Sequence, residues 1–345
     1  MGTDGMDGTN GTYRSAPEPD AADGTRPAAR TVPGRQPVPA RWRRGRLIAV
    51  CAALVAALLA LHPAVPNAGP RLGSLLETFL PWLALAVPVL LLAALLRRSA
   101  TAAAATALPA AAWLVAFGPL LLPGGGARHD LVVVQHNVAD DNPDPAGTAR
   151  ALADERPDLI ALEEVTQDAL PAYEKALRAR YPHHAVVGTV ALWSRHRMTD
   201  VAPVDIRPRA VDPGWNRGMR ATVHTPHGEL AVHVAHLPSI RLGVRGLRSA
   251  DRDESAELLG AALAAEPIER LLLLGDLNGT LDDRGLRPLT SQLGAPGPGF
   301  AFSWPAGLPV ARIDQVLARK STVTGLSALP ATGSDHLPII ARIRY

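Results

Sequence analysis

Cysteine is all but absent from this 345-residue chain: the single thiol, Cys51, sits inside an apolar run, so no intrachain disulfide is possible. A cysteine-free C-terminal half suits either side of a membrane. Lysine is nearly missing too, with only Lys175 and Lys320, so arginine carries almost all of the positive charge. The C-terminal half also lacks a basic excess. Residues 129–345 carry 23 basic and 26 acidic side chains, whereas residues 1–128 carry 12 arginines against six acids. The pI of about 9.4 therefore belongs to the N-terminal part. Binding a nucleic-acid backbone needs clustered positive charge, so this distribution argues against a polyanionic partner for the C-terminal half. No internal repeat is present.

Long apolar runs are plentiful. Residues 1–40, rich in Gly, Pro, Asp, Thr and Ala, have little to bury and read as a disordered tail. Arg41, Arg43, Arg44 and Arg46 then lead into an apolar run from Leu47 to about Pro66. A second run extends from Leu75 to Leu96, with Glu77 its only charge, and stops at Arg97-Arg98. A third extends from about Thr101 to Pro123 and ends in Gly124-Gly125-Gly126. Each is near the roughly 20 residues that cross a hydrocarbon core of about 30 Å. The pattern predicts three transmembrane helices within residues 41–127. Two further spans and a long preceding tail argue against reading the first run as a cleaved signal peptide. The alternative for the Ala-rich third run is a buried soluble helix. Arginines flank the first span on its N-terminal side and separate the second from the third, while Arg71 alone lies between the first two. The positive-inside rule then places the N-terminus in the cytoplasm and residues 128–345 outside the cell membrane. A third segment lying only in the interface would instead leave that half cytoplasmic.

From residue 128 on, strand and helix patterns alternate. Leu131–Val134, Leu159–Leu162, Ala191–Trp193 and Leu271–Leu274 are short apolar runs typical of buried strands. Asp144, with Pro145 behind it, predicts a helix N-terminus, with the helix running to Glu155. Helical patterns also cover Gln167–Arg180 and Asp253–Ala264. Arg220–His224 and Leu230–His236 read as a hairpin turned by Pro226-His227-Gly228. Ile313–Leu317 and Leu337–Ile343 complete an α/β domain with buried sheets.

Polar residues recur where these strands end or begin: Asn137, Glu163-Glu164, His236, Asp276 and Asn278, Asp314, and Asp335-His336. Taken singly, each has a structural explanation: a turn, a helix cap, a solvated strand end or a core histidine. Taken in order, they can converge over one edge of packed sheets. Carboxylates suit Mg²⁺ or Mn²⁺, and nearby imidazoles can move protons or steady negative charge.

The ordered set resembles the endonuclease/exonuclease/phosphatase superfamily, which includes DNase I-like nucleases, inositol polyphosphate 5-phosphatases and neutral sphingomyelinases. The resemblance rests on Gln135-His136-Asn137-Val138, Leu159–Val165, Ala191–Arg195, Val234–Leu237, Gly275-Asp276-Leu277-Asn278, Arg312-Ile313-Asp314 and Ser334–Pro338. Glu163 stands where the family usually has Gln, and Gln315 where it usually has Tyr. The resemblance implies a four-layer sandwich of two packed mixed β-sheets flanked by helices. It implies that Glu164 binds a divalent ion, Mg²⁺ or Mn²⁺, with Asn137 near it, although the paired glutamates leave the choice of ligand open. Asp276 would orient or deprotonate the attacking water, and Asn278 would hold a phosphate oxygen. His336, oriented by Asp314, would stabilise phosphoryl charge. His236 would bond a phosphate oxygen or assist the leaving group, and Asp335 would orient a histidine or touch the metal. Arg195 would contact substrate.

Three spans followed by such a domain also resemble membrane proteins of the VanJ type, associated with teicoplanin resistance. That implies a lipid-linked phosphate substrate of the undecaprenyl-pyrophosphate kind. The alternatives are an extracellular, membrane-tethered nuclease, for which Arg241, Arg245 and Arg248 could supply a basic patch, and a non-enzymatic envelope protein.

Overall fold

The computed structural model describes residues 45–122, 128–243, 246–295 and 297–345. The tail expected over 1–40, Arg41, Arg43 and Arg44, the Gly124–Gly126 run and Arg245 lie outside the described residues.

Among the described residues five helices come first: α1 (Arg46–Leu61), α2 (Leu72–Thr78), α3 (Ala86–Leu96), α4 (Ala100–Ala105) and α5 (Ala107–Phe117). Two stretches, Arg46–Ala64 and Ala100–Leu121, are helical, long and apolar enough to cross a membrane. Among the described residues, 18 of the 22 exposed large apolar side chains lie between Leu47 and Leu122, an exterior suited to lipid rather than water. The second expected span is not one straight helix. It is bent by 70° between Leu72–Thr78 and Leu80–Leu96. Pro81 opens the second piece as a 3₁₀ turn, where its missing N–H costs nothing. Glu77, expected only as a charge near one end of the span, is fully buried and paired with Arg284 of the C-terminal domain.

The C-terminal domain runs β1 (Leu131–Asn137), α6 (Pro145–Asp154), β2 (Leu159–Glu163), α7 (Leu170–Leu177), β3 (His183–Val187), β4 (Val190–Ser194), β5 (Met198–Pro203), β6 (Gly218–Thr225), β7 (Gly228–Ala235), β8 (Arg241–Gly243), β9 (Gly246–Arg248), α8 (Ala250–Ala265), β10 (Leu271–Asp276), α9 (Arg287–Thr290), β11 (Asp314–Arg319), β12 (Thr322–Ala328) and β13 (Ile339–Arg344). One mixed sheet has the order β12-β13-β1-β2-β4-β3, a second has β11-β10-β7-β6-β5, and β8-β9 is a separate hairpin.

The period of two along each strand sorts side chains between layers. Leu131, Val133, Leu159 and Ala161 of the first sheet meet Val232, Val234, Leu272 and Leu274 of the second in the central core. On the opposite faces, Val134, Ile160 and Leu162 pack under α6 and α7. Likewise Ala231, Leu271 and Leu273 pack under α8 and α9. The result is four layers, helix–sheet–sheet–helix. Asp144 caps α6 as expected, accepting a hydrogen bond from the Gly147 N–H at 2.8 Å.

The strands that the apolar pattern did not anticipate include β3, β5 and β12, three of the four sheet edges. An edge strand buries less, so its sequence need not be continuously apolar. The helix expected over Gln167–Arg180 is shorter, Leu170–Leu177.

Candidate active site

Strand parity places the site. Val133, Gln135 and Asn137 share a face of β1, as do Leu159, Ala161 and Glu163 on β2. Leu272, Leu274 and Asp276 do so on β10, and Asp314, Val316 and Ala318 on β11. The polar cluster is thus the continuation of the inter-sheet core where the apolar residues run out. β1 and β2 are parallel, β7 and β10 are parallel, and β11 runs antiparallel to β10. The ends of the first four and the start of β11 therefore lie at one edge. β13 runs antiparallel to β1, with Ile339 opposite Gln135, which brings the preceding Ser334–His336 turn to the same edge.

Asn137 lies between two carboxylates. Its Nδ2 donates to Asp276 Oδ2 at 3.0 Å and to Glu164 Oε1 at 3.2 Å. Its carbonyl accepts from Ser334 Oγ at 2.7 Å, tying β1 to the terminal turn. Glu164 has φ of +62°, a left-handed conformation that costs a non-glycine residue energy and that often marks a functional site. This turns its carboxylate toward the cavity, where it also accepts from the Asp140 N–H at 3.2 Å. Glu163 points the other way in function. It is fully buried, accepts from Gln135 Nε2 at 2.7 Å, and burial followed by the charge of Asp314 raises its pKa well above the carboxylate range. The geometry therefore puts Glu164, not Glu163, at the cavity.

Gly275 permits the close approach of β10 to β7. Its φ is +152°, and a Cβ there would lie 1.8 Å from the Ala235 carbonyl oxygen. Asp276 follows, accepting from the Asn278 N–H at 2.9 Å. Asn278 adopts φ of +47° and donates through Nδ2 to the Leu237 carbonyl at 2.9 Å. Burial, then the charge of Asp314, raises the Asp276 carboxyl to about 7.

His336 Nδ1 donates to Asp314 Oδ2 at 2.7 Å, leaving Nε2 toward the cavity, 3.8 Å from Asp276 Oδ2. Burial opposes charge on His336, but Asp314 overcomes it through its charge and hydrogen bond and raises the imidazole to about 10. Asp314 is itself buried, yet His336, Ser303 and Gln135 hold its carboxyl below the ordinary range. His236 differs. Burial, then the Arg217 charge, lowers it to about 3. Arg217 Nη1 lies 3.1 Å from His236 Nδ1, and a guanidinium can only donate. The same Nη1 lies 3.4 Å from Nε2, which faces Asp276 at 3.6 Å and Glu164 at 3.7 Å; taking the shorter contact as the hydrogen bond makes Nδ1 the acceptor and puts the ring proton on Nε2. One imidazole is held charged and the other neutral. Asp335 is exposed at the rim, with Oδ1 4.0 Å from His336 Nε2.

Arg195 is not brought to this cluster. β4 runs antiparallel to β2, with Ser194 opposite Leu159, so Arg195 emerges at the far end of the sheet. There its guanidinium lies over the Tyr181 ring and 3.9 Å from Asp158. Arg195 does not line the pocket that Asn137, Glu164, Asp276, Asn278 and His336 share. Arg241 and Arg248 face each other across the β8-β9 hairpin.

Three residues escaped sequence reasoning. Arg217 stands opposite His236 in the hairpin register, with the His236 N–H donating to the Arg217 carbonyl at 2.9 Å, so the hairpin pairing was the available signal. Gln135 joins Glu163 to Asp314. Buried Arg252 donates to Asp283 at 2.5 Å and to the Asn278 carbonyl at 3.2 Å, fixing the loop after β10; it lies one residue before the helical pattern read from the sequence, and no pattern marked it.

Together these groups floor a cavity of about 770 Å³ lined by Asn137, Glu164, Asp276, Asn278 and His336. Asp276, Asp314 and His336 offer possible ligand atoms within 4.8 Å of one another. Asp314 and His336, however, are already committed to each other. The carboxylate oxygens of Glu164 and Asp276 converge on Asn137 Nδ2, whose Oδ1 accepts from the Ala139 N–H at 3.1 Å; these two carboxylates at the cavity are hard oxygen donors of the kind that suit Mg²⁺, an ion that keeps several waters.

A two-sheet sandwich with such a pocket at its strand ends defines a hydrolytic enzyme of the phosphoester class. The chain belongs to the endonuclease/exonuclease/phosphatase family, whose sequence profile matches residues 124–336 and whose members are phosphoester hydrolases. No curated protein matches it in sequence. Among solved structures, beta toxin of Staphylococcus aureus is 15% identical, with a TM-score of 0.53, covering 61% of this chain and 99% of that one. The mannosyl-6-phosphatase of Bacteroides thetaiotaomicron is 16% identical, with a TM-score of 0.52, covering 62% and 100%. Humanized D. rerio TDP2 is 16% identical, with a TM-score of 0.51, covering 62% and 99%. At these identities the likeness is one of fold.

Proposed function

We propose that the chain is a membrane-anchored, metal-dependent phosphoesterase acting on a lipid-linked phosphoester of the cell envelope, of the undecaprenyl-pyrophosphate type. The observation that carries this reading is the clamp between the apolar helices and the catalytic domain. Arg284 donates to Glu77 Oε1 at 2.8 Å and Oε2 at 2.9 Å, and to the His62 and Val65 carbonyls at 2.8 Å each. Gly73 leaves room for it, since a Cβ there would lie 2.7 Å from the guanidinium. Trp82 Nε1 donates to the Val310 carbonyl at 2.7 Å, and its ring stacks on Phe302 at 5.5 Å. The catalytic pocket is thereby held beside lipid-facing helices, which raises the effective concentration of lipid headgroups. The slight acidity of the catalytic half supports a small headgroup over a polyanion.

In the mechanism, Asp276 accepts a proton from the attacking water, as a carboxyl near 7 can at neutral pH. His336, charged and oriented by Asp314, donates Nε2–H to a phosphoryl oxygen. His236 donates its Nε2–H to a phosphate or leaving-group oxygen, Asn278 steadies a phosphate oxygen, and Arg217 adds positive charge from the same side. A divalent ion held by Glu164 and Asn137 would act as a Lewis acid on a phosphoryl oxygen.

The N-terminus is cytoplasmic in this reading and the catalytic domain external. Six 3₁₀ residues from Leu80 and eleven α-helical residues from Ala86 give a rise of about 28 Å, close to the hydrocarbon thickness, so Leu80–Leu96 serves as the middle of three spans. The resemblance to VanJ-type proteins supports a role in teicoplanin resistance, through altered supply of the lipid-linked precursors. Full-length protein with Mg²⁺ offered undecaprenyl pyrophosphate, a sphingomyelin-type lipid and plasmid DNA tests the substrate. Turnover of the polyprenyl pyrophosphate is expected. DNA cleavage without lipid turnover would favour the tethered nuclease.

A further inference from the structure

The cavity above the catalytic cluster is not lined by the catalytic domain alone. Leu75, Thr78 and Phe79, from the short helix α2 and its end, form one wall. Ile240 and Leu247, from the β8-β9 region, and Trp304 line the same cavity. Phe79 is 41% exposed and Trp304 38%, large apolar surfaces turned toward open space beside a polar floor. Trp304 and Leu308, the latter 72% exposed, belong to one loop, and outside residues 47–122 only two other large apolar side chains among the described residues are so exposed. The wall is fixed. Glu77, two residues before Phe79, is buried against Arg284; Arg71 bonds Ser249 at 3.0 Å and Asp253; and the Leu247 N–H donates to the Pro70 carbonyl at 3.1 Å. The 70° bend then carries the chain from this wall directly into the apolar helix Leu80–Leu96.

We propose that α2 is the chain-reading wall of the active site: the aliphatic chain attached to the substrate phosphate leaves the polar floor along the apolar lining of Leu75, Phe79, Ile240, Leu247 and Trp304 and continues along Leu80–Leu96. The occupant is therefore an amphiphile with a phosphate or pyrophosphate head and an unbranched or polyprenyl tail. Continuity argues for this occupant, because the apolar wall starts at the catalytic pocket and ends at lipid-facing helices. The inference rests on the lipid-linked reading and adds where the tail binds and which residues select it.

Soluble alkyl phosphonates of two to eight carbons, too short to form micelles, test it as inhibitors of full-length enzyme turning over a soluble chromogenic phosphoester. In the wild type, Ki is expected to fall about twofold to fourfold per added methylene, as burial of each methylene requires. Phe79→Gln and Ile240→Gln, both in the cavity lining, should each flatten that slope. Leu258→Gln, an exposed apolar position on α8 that does not line the cavity, should keep it. A flat slope in the wild type, or an unchanged slope in both wall variants, would overturn the proposal. Failure of the wild type to hydrolyse any lipid phosphoester would instead overturn the lipid-linked reading, since the inhibition series is read on a soluble substrate.

Discussion

Glu163 and Glu164 are adjacent in sequence but differ in every property that matters to catalysis. The first is sealed in the core, its pKa raised by burial and the Asp314 charge, and bonded to Gln135; the second is bent by a left-handed backbone into the cavity. Glu163→Gln should therefore keep most activity and lose little stability, because an amide has nearly the same shape and its oxygen can still accept from Gln135. Glu164→Gln should lower metal-dependent turnover by about two orders of magnitude or more, consistent with loss of an anionic ligand. Steady-state kinetics against Mg²⁺ concentration separate the two, and the opposite ranking would move the ligand to Glu163. Periodicity alone could not make this choice. Both residues follow the same apolar run, and the turn that reverses Glu164 is set by Asn137 and the Asp140 N–H, remote in sequence. The remaining cluster was legible because Asn137, His236, Asp276 and Asp314 each sit at the end or start of a recognisable strand. Arg217 was not, because its partner is defined only once β6 and β7 are in register.

Among the elements, the buried strands were readable from their apolar runs, and the edges β3, β5 and β12 were not, since they bury too little to need such runs. The bend at Phe79 was hidden for a related reason. An apolar stretch looks the same whether it crosses lipid in one piece or docks its first two turns on a neighbouring domain, and only Glu77 marks the difference. Glu77→Ala should leave Arg284 without its carboxylate and lower stability by about 3 kcal/mol, as loss of one member of a buried pair does. Thermal unfolding of the detergent-solubilised protein measures this, and a negligible shift would show that the clamp is not holding α2. A second element-level lock lies between β6, β7 and the end of α8. Burial opposes charge on Glu266, but two Arg220 bonds at 2.9 Å each, the Ile268 N–H and His233 bring its carboxyl down to about 2. A carboxyl depressed in the folded state stabilises above its ordinary value of 4.5 and loses that contribution as pH falls toward 2. On the order of 3 kcal/mol of stability should drain away across that window. Denaturation midpoints between pH 5 and pH 2 would record it, and Glu266→Gln should remove most of the slope.

At the scale of the whole molecule, charge and hydropathy divide the chain into a basic, apolar N-terminal part and a slightly acidic catalytic part, a division plain from composition. How the two fit together was not, because the clamp depends on single residues, Gly73, Glu77 and Arg284, that have no signature of their own. With Leu80–Leu96 as a middle span, external protease on intact cells should cut the catalytic half, and its full protection would reverse the proposed orientation. The central claim is that one pocket, floored by Asp276 and His336 and held at the lipid surface, hydrolyses a phosphoester with help from a divalent ion. Its most direct test is hydrolysis of undecaprenyl pyrophosphate by full-length protein with Mg²⁺, comparing the wild type with Asp276→Ala and His336→Ala. The account predicts turnover by the wild type that chelation of the metal stops, and activity at least about a thousandfold lower in each variant. Near-normal turnover in either variant would contradict it.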